Sequence, residues 1–165
     1  MNDLGHAGQF LGLEITTGSD YLFLNQKCFI QTVLNQFGMA HCNSVSTPLE
    51  VKPFVSTTPE CAKGNQAKYQ SIVGSLMYLA IGFRPDISYT LGMLSKFSIN
   101  PSAVHLAAVK RLLRYIKGTI DLGLYYHSGC TLDIEGFCGS DFAWDSQDSK
   151  STFGYVFILA GGSIS

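Results

Sequence analysis

The feature that most constrains the fold of this 165-residue chain is a run of three helical segments in its middle. In the first segment, apolar residues recur at helical spacing on a broad stripe, which predicts a largely buried helix. Pro85 favours the first turn of the second helix, and Asn100-Pro101 ends it. The stripe consists of Tyr69, Ile72, Val73, Leu76 and Ala80. The predicted helices span Ala67–Gly82, Asp86–Phe97 and Ser102–Lys117.

Strand patterns lie on both sides of these helices. A hairpin is predicted first, followed by a helix that Asn25 can cap and that Gly38 can end. Residues 39–65 are rich in Pro, Ser and Thr and predict a long irregular connector. The predicted strands are Gln9–Thr16, Tyr21–Leu24, Leu122–Tyr126, Leu132–Phe142 and Thr152–Leu159. The expected fold class is α+β: an N-terminal β-hairpin plus helix, a three-helix region, then antiparallel strands.

Net charge, apolar runs and cysteine spacing argue against several functional classes. The formal net charge of −1 gives no whole-chain sign of a dedicated nucleic-acid binder. The longest apolar runs are far shorter than the roughly 20 residues that span a bilayer, and no secretory signal is recognised after Met1. The five cysteines form no Cys-x-x-Cys pair, which argues against a zinc ribbon or a disulfide framework. The chain is therefore expected to be intracellular, cytoplasmic or nuclear, and not secreted.

One helix carries a local cationic stripe. Lys110, Arg114 and Lys117 fall within about 60° of one another at 100° per residue, and Arg111 lies at their flank. No acidic residue interrupts residues 102–120, whereas the C-terminal part of the chain is acidic. Phosphates would bind this stripe through charge, so binding would be salt-sensitive and independent of sequence. The alternative is a solvated basic face without a ligand.

These residues belong to longer strings that are similar to copia-type retrotransposon Pol polyproteins. YQSIVGSLMYLAIGFRPDISYTLGMLSKF and NPSAVHLAAVKRLLRYIKGTIDLGLYY resemble the family patterns Y-R-x-x-V-G-S-L-M-Y-L-x-x-x-T-R-P-D-I and N-P-x-x-x-H-W-x-A-A-K-R-x-L-R-Y-L-K-G-T. MNDLGHAGQFLGLEI resembles the family's M-K-D-L-G-x-x-x-x-F-L-G-I-E. GSDFAWDSQDSKSTFGYVFILAGGSIS resembles its D-A-D-W-A-G-D-x-x-D-R-K-S-T-S-G-Y-V-F. The resemblance covers essentially the whole chain in the family's order.

The resemblance implies a division into three segments. Residues 1–50 would end the reverse transcriptase palm, 51–120 would be the thumb and connection helices, and 121–165 would start an incomplete ribonuclease H-like sheet. Phe10, Leu11 and Gly12 would form the primer grip, where a glycine lets the backbone approach the primer strand. The placement of the third helix in the thumb and connection strengthens the expectation that Lys110, Arg111, Arg114 and Lys117 contact nucleic acid.

The resemblance also shows which catalytic groups are missing. Polymerisation in this family needs paired palm aspartates that hold two magnesium ions about 4 Å apart, and this chain has no adjacent acidic pair. The leading aspartate of the ribonuclease H strand aligns with Gly139, which has no side chain to ligate an ion. Asp141 and Asp145 are the remaining candidate ligands near it, and the alternative is that both are plain exposed carboxylates. No cofactor is therefore expected in the chain itself, although the parent family uses magnesium.

Two functions follow from the sequence. The first is a non-catalytic fragment of a retrotransposon reverse transcriptase and ribonuclease H polyprotein, with sequence-independent affinity for nucleic acid at most. The second is a co-opted protein-interaction module that binds a protein partner or a second copy through exposed sheet edges and apolar surface. An active ribonuclease H completed by another chain ranks last, because Gly139 would still supply no ligand for the metal ion.

Overall fold

A computed structural model of the chain describes residues 8–50, 64–140 and 151–164. It contains both helices and strands, with a 3₁₀ turn at Pro85–Ile87 that leads into the third α-helix. The strands are β1 (Gln9–Phe10), β2 (Leu13–Thr17), β3 (Tyr21–Asn25), β4 (Leu124–His127), β5 (Glu135–Ser140), β6 (Phe153–Leu159) and β7 (Gly162–Ser163). The helices are α1 (Lys27–Gln36), α2 (Gly64–Gly82), α3 (Ser88–Ser95) and α4 (Ala103–Gly118).

The chain divides into two compact units. The helical unit contains Gln9–Glu14 and Asn25–Gly123, and the strand unit contains Met1–Gly8, Ile15–Leu24 and Leu124–Ser165. The earlier division into segments 1–50, 51–120 and 121–165 stays a prediction, as does the assignment of the last segment to a ribonuclease H-like sheet. Residues 51–63, 141–150 and the predicted ligands Asp141 and Asp145 lie outside the described residues.

The core of the helical unit is built from all four helices. The predicted stripe on α2 is confirmed, because each of its five members is buried. Apolar residues from the neighbouring helices complete the core. They are Ile30, Val33 and Leu34 of α1, Ile87, Leu91 and Leu94 around α3, and Ala108, Val109, Leu112, Leu113 and Ile116 of α4.

Local signals set most helix ends. Gly38 (φ +71°) ends α1 as predicted, with Gly38 N–H donating to Asn35 O and Met39 N–H to Leu34 O, which is a Schellman motif. At the other end, Asn25 was expected to be the cap, but Gln26 occupies that position. Asn25 Oδ1 instead accepts a 3.4 Å bond from Lys27 N–H. The second predicted helix is shorter than expected and ends at Ser95.

The strand unit contains antiparallel pairs from both ends of the chain. The strand order is β1-β2-β3-β4 in one sheet, of which β1 belongs to the helical unit, and β5-β6-β7 in the other. Tyr21 to Leu24 pair with His127 to Leu124, and β5 pairs with β6 from Glu135↔Ile158 to Ser140↔Phe153. Tyr126 packs where a Cβ on Gly162 would be only 2.5 Å from its ring, and its hydroxyl donates to Ser163 O. That close approach explains a glycine at this position.

Candidate nucleic-acid interface

Helix α4 is fixed by its start and by its apolar side. Ser102 precedes the first turn, and its backbone N–H donates to Nδ1 of His105 at 3.0 Å. The His105 ring is buried and stacks on Phe97 with 3.8 Å between ring centroids. Burial lowers the pKa of His105, because the charged imidazolium would lose its solvation. The apolar side of the helix therefore faces the core, and its basic residues occupy the remaining surface.

Two cations of the predicted stripe are held by the connector. Arg114 Nε donates to the carbonyl oxygen of Asn43 at 2.6 Å, and Lys117 Nζ donates to that of Cys42 at 2.6 Å. Both side chains are half-buried. Their acceptors are neutral carbonyls, which orient the cations but leave their charges uncompensated.

Arg111 differs from its neighbours because it has an acidic partner. Its terminal nitrogens donate to Glu50 Oε1 at 2.7 Å and to Thr47 Oγ1 at 3.0 Å. The carboxylate compensates the guanidinium charge, so a phosphate would have to compete with Glu50 for it. Arg111 as a phosphate contact stays a prediction.

Lys110 is the exposed member of the set. It is exposed on α4, and no hydrogen bond or ion pair engages it among the residues the structure describes. Lys110, Arg114 and Lys117 thus lie on one helix as the spacing predicted. We call these three residues the cationic stripe below. Two of its members are oriented by backbone carbonyls, and Lys110 is exposed.

The predicted primer-grip residues form a tight turn. The sequence predicted one continuous strand over Gln9–Thr16, but Leu11 and Gly12 interrupt it and join β1 to β2. Both have positive φ, +50° and +80°, and Phe10 pairs with Leu13 across the turn. This matches a two-residue hairpin turn of type I′, in which both central residues need positive φ. The turn was missed because leucine is an unusual residue at such a position.

The turn is attached to the helices by two hydrogen bonds. The Tyr78 hydroxyl on α2 donates to the Leu11 carbonyl oxygen at 2.7 Å. Glu14 Oε1 accepts a 2.7 Å bond from the Cys28 N–H in the first turn of α1. The Phe10 and Leu11 side chains remain 60% and 74% exposed. Nothing in the sequence pattern of Tyr78 or Glu14 indicated these contacts.

A buried arginine that the sequence did not single out connects the ends of the last two helices. Arg84 is 2% exposed and donates to both carboxylate oxygens of Asp86 at 2.9 and 2.8 Å. It also donates to the backbone and side-chain oxygens of Thr119, just after α4. Burial alone would raise the pKa of Asp86, but the Arg84 guanidinium and the Tyr115 hydroxyl outweigh it and lower that pKa. This network supports the fold.

The described residues do not fit a magnesium site. No three His, Cys, Asp or Glu side chains group together among residues 8–50, 64–140 and 151–164. Gly139 lies in β5 opposite Gly154, so neither residue supplies a ligand there. In the same ranges, no helix is long and apolar enough to cross a membrane.

Comparisons with known proteins give three informative relatives. A Nicotiana tabacum retrovirus-related Pol polyprotein from transposon TNT 1-94 is 42% identical over 174 residues, covering all of this chain and 13% of that polyprotein. An Arabidopsis thaliana protein described as an uncharacterized mitochondrial protein is 39% identical, covering all of this chain and 68% of that protein. The Arabidopsis retrovirus-related Pol polyprotein from transposon RE1 is 38% identical, covering 94% of this chain and 11% of that polyprotein.

The chain therefore spans only a small part of each of these two polyproteins, and about two thirds of the mitochondrial relative. No protein-family model and no solved structure matches it.

Proposed function

Because the chain belongs to the family of retrovirus-related Pol polyproteins of copia-type transposons, we propose that it binds nucleic acid within such a polyprotein without catalysis of its own. The proposed place is the end of the reverse transcriptase, leading into ribonuclease H. The ligand is the phosphate backbone of an RNA–DNA or DNA duplex, which would be bound independently of sequence.

The observation that carries this proposal is the uncompensated charge of the cationic stripe. Its members have no carboxylate partner among the described residues, whereas Arg84 and Arg111 do. Carbonyl bonds restrict Arg114 and Lys117 before any ligand arrives, which reduces the entropy lost on binding. The terminal nitrogens of Arg114 and the remaining Lys117 N–H groups stay available for phosphate oxygens.

The distribution of charge supports the same surface. In its described residues the helical unit has eight Lys and Arg residues against four Asp and Glu. The described part of the strand unit has no Lys or Arg and three acidic residues, Asp20, Asp133 and Glu135. A net charge near zero therefore hides a cationic unit, and phosphate contacts belong on that unit.

Glutamine substitution along the stripe tests the proposal. Glutamine keeps an N–H₂ donor for the connector carbonyls but removes the charge. The variant Lys110→Gln/Arg114→Gln/Lys117→Gln should bind a duplex more weakly, and each lost phosphate contact should lower the log–log salt slope by about 0.9 on duplex DNA. Fluorescence anisotropy at several salt concentrations measures both quantities.

A matched pair of single variants controls for net charge. Lys110→Gln should reduce affinity and salt slope, while Lys68→Gln removes an exposed lysine from α2 and should change neither. The unfolding temperature of every variant should stay close to that of the parental chain, because these positions contribute little to the core. An unchanged salt slope in the triple variant would mean that the stripe is only a solvated face.

A second function is favoured by one feature of the strand unit. Phe153, Tyr155 and Phe157 form a row on β6 with neighbouring rings 6.0 and 5.8 Å apart, and the three side chains are 64%, 58% and 42% exposed. Exposed apolar surface favours a protein partner or self-association. The test is whether the chain self-associates as its concentration rises. Association that is insensitive to salt and that Tyr155→Thr reduces would favour the interaction module over nucleic-acid binding.

A further inference from the structure

The Leu11–Gly12 turn combines strain with exposure. Leu11 adopts φ +50°, a left-handed conformation that costs a side chain other than glycine or asparagine free energy. Its side chain is 74% exposed, so burial in the core of this chain does not compensate for the strain. Backbone strain that the fold tolerates at an exposed position suggests a function for the residue held there.

The hydroxyl of Tyr78 is the group that holds this turn from the helical side. It donates to the carbonyl oxygen of Leu11 at 2.7 Å, and the same oxygen atom of Tyr78 would lie 3.8 Å from a Cβ on Gly12. The Tyr78 ring is itself held by an edge contact with Phe29 of α1, with ring centroids 5.0 Å apart. Two helices therefore fix the position of one phenolic oxygen beneath the turn.

We infer that Tyr78 is a positioning residue for nucleic-acid binding, whose hydroxyl keeps the strained turn in the conformation that presents Phe10 and Leu11. This inference rests on the proposed function, because it assigns the turn a nucleic-acid strand as its ligand. Phe10 offers an exposed aromatic face, on which a base or sugar can stack without sequence preference. Leu11 adds apolar surface beside it.

The geometry explains why a hydrogen bond is needed at this point. The hairpin has two residue pairs, Gln9↔Glu14 and Phe10↔Leu13, before β2 continues into the strand unit. β2 also neighbours β3 in the sheet, but two residue pairs give the β1 arm and the turn few ladder hydrogen bonds. The Tyr78 bond at the tip and the Glu14 bond to Cys28 at the base supply the missing constraint. Without the tip bond, Leu11 can relax to negative φ and change the direction of both exposed side chains.

The variant Tyr78→Phe tests this inference in the full chain. It removes one oxygen atom and keeps the ring contact with Phe29. Hydrogen exchange of the amides in residues 9–14 should become about 2- to 10-fold faster, which corresponds to the net contribution of one hydrogen bond. Affinity for a short single-stranded oligonucleotide, measured by anisotropy, should fall by a similar factor. The matched control is Tyr89→Phe, which removes the hydroxyl of another exposed tyrosine on α3.

Each result decides a different point. Unchanged exchange in residues 9–14 of Tyr78→Phe would overturn the inference, whatever the affinity. Faster exchange with unchanged affinity would show that the turn is held but does not bind, and would also overturn it. Failure of the parental chain to bind a duplex would overturn the proposed function, and failure to bind the single strand would overturn the ligand assigned to the turn. Faster exchange together with weaker binding, both absent in Tyr89→Phe, supports the positioning role.

Discussion

At the scale of single residues, two arginines of the helical unit illustrate how burial determines the contribution of an ion pair to stability. Arg84 is 2% exposed and uses four hydrogen bonds to join Asp86 and Thr119. Arg111 keeps a quarter of its side chain in water, and its partner Glu50 is 65% exposed. Removing one member of a buried pair leaves polar groups without partners, whereas water replaces a lost surface contact.

Replacing each arginine with methionine should separate the two cases. Arg84→Met should lower the free energy of unfolding by about 3 kcal/mol, at the low end for buried pairs because Asp86 keeps a third of its side chain exposed. Arg111→Met should cost less than about 1 kcal/mol. Urea denaturation of both variants measures the difference. Equal losses would mean that the Arg84 network is as solvated as a surface pair.

At the scale of elements, the β1–β2 hairpin has a residue, Leu11, whose side chain is expected to favour binding but to lower stability. Leu11→Asn should raise the free energy of unfolding by about 1 kcal/mol, because asparagine adopts positive φ more readily and suits a two-residue hairpin turn. The same variant should bind nucleic acid more weakly, because it loses the exposed apolar side chain. Denaturation and anisotropy on one sample test both effects. A loss of stability would show that the leucine is not strained.

Elements were predictable from the sequence where local patterns determine them. The stripe on α2, the Schellman end at Gly38 and the start of α4 at Ser102 each depend on residues within a few positions. The contacts of α4 with the connector join residues 61 to 75 positions apart, and no periodicity in the sequence indicates them. Strand β7 has only two residues, too few for an alternating pattern. The sequence therefore predicted the cations of the site, but it did not predict the connector residues that bind them.

At the scale of the whole molecule, the chain is expected to bind without turnover. It has no adjacent acidic pair, and its described residues contain no cluster that could hold a metal ion. With magnesium or manganese, the purified chain should neither extend a primed RNA template nor cleave the RNA strand of a hybrid, since both reactions need converging carboxylates. Gel-based extension and cleavage assays measure these activities. Chelator-sensitive turnover by homogeneous protein would contradict this expectation.

The carbonyl bonds from Cys42 and Asn43 to the stripe have a consequence for sequence change. These acceptors belong to the backbone, so most side-chain replacements at the two positions preserve them. A one-residue deletion in this stretch would instead shift the carbonyls along the helix and release Arg114 and Lys117 from their fixed directions. Insertions and deletions around Cys42 and Asn43 thus change where the positive charges of Arg114 and Lys117 point, while the formal charge of the molecule stays constant.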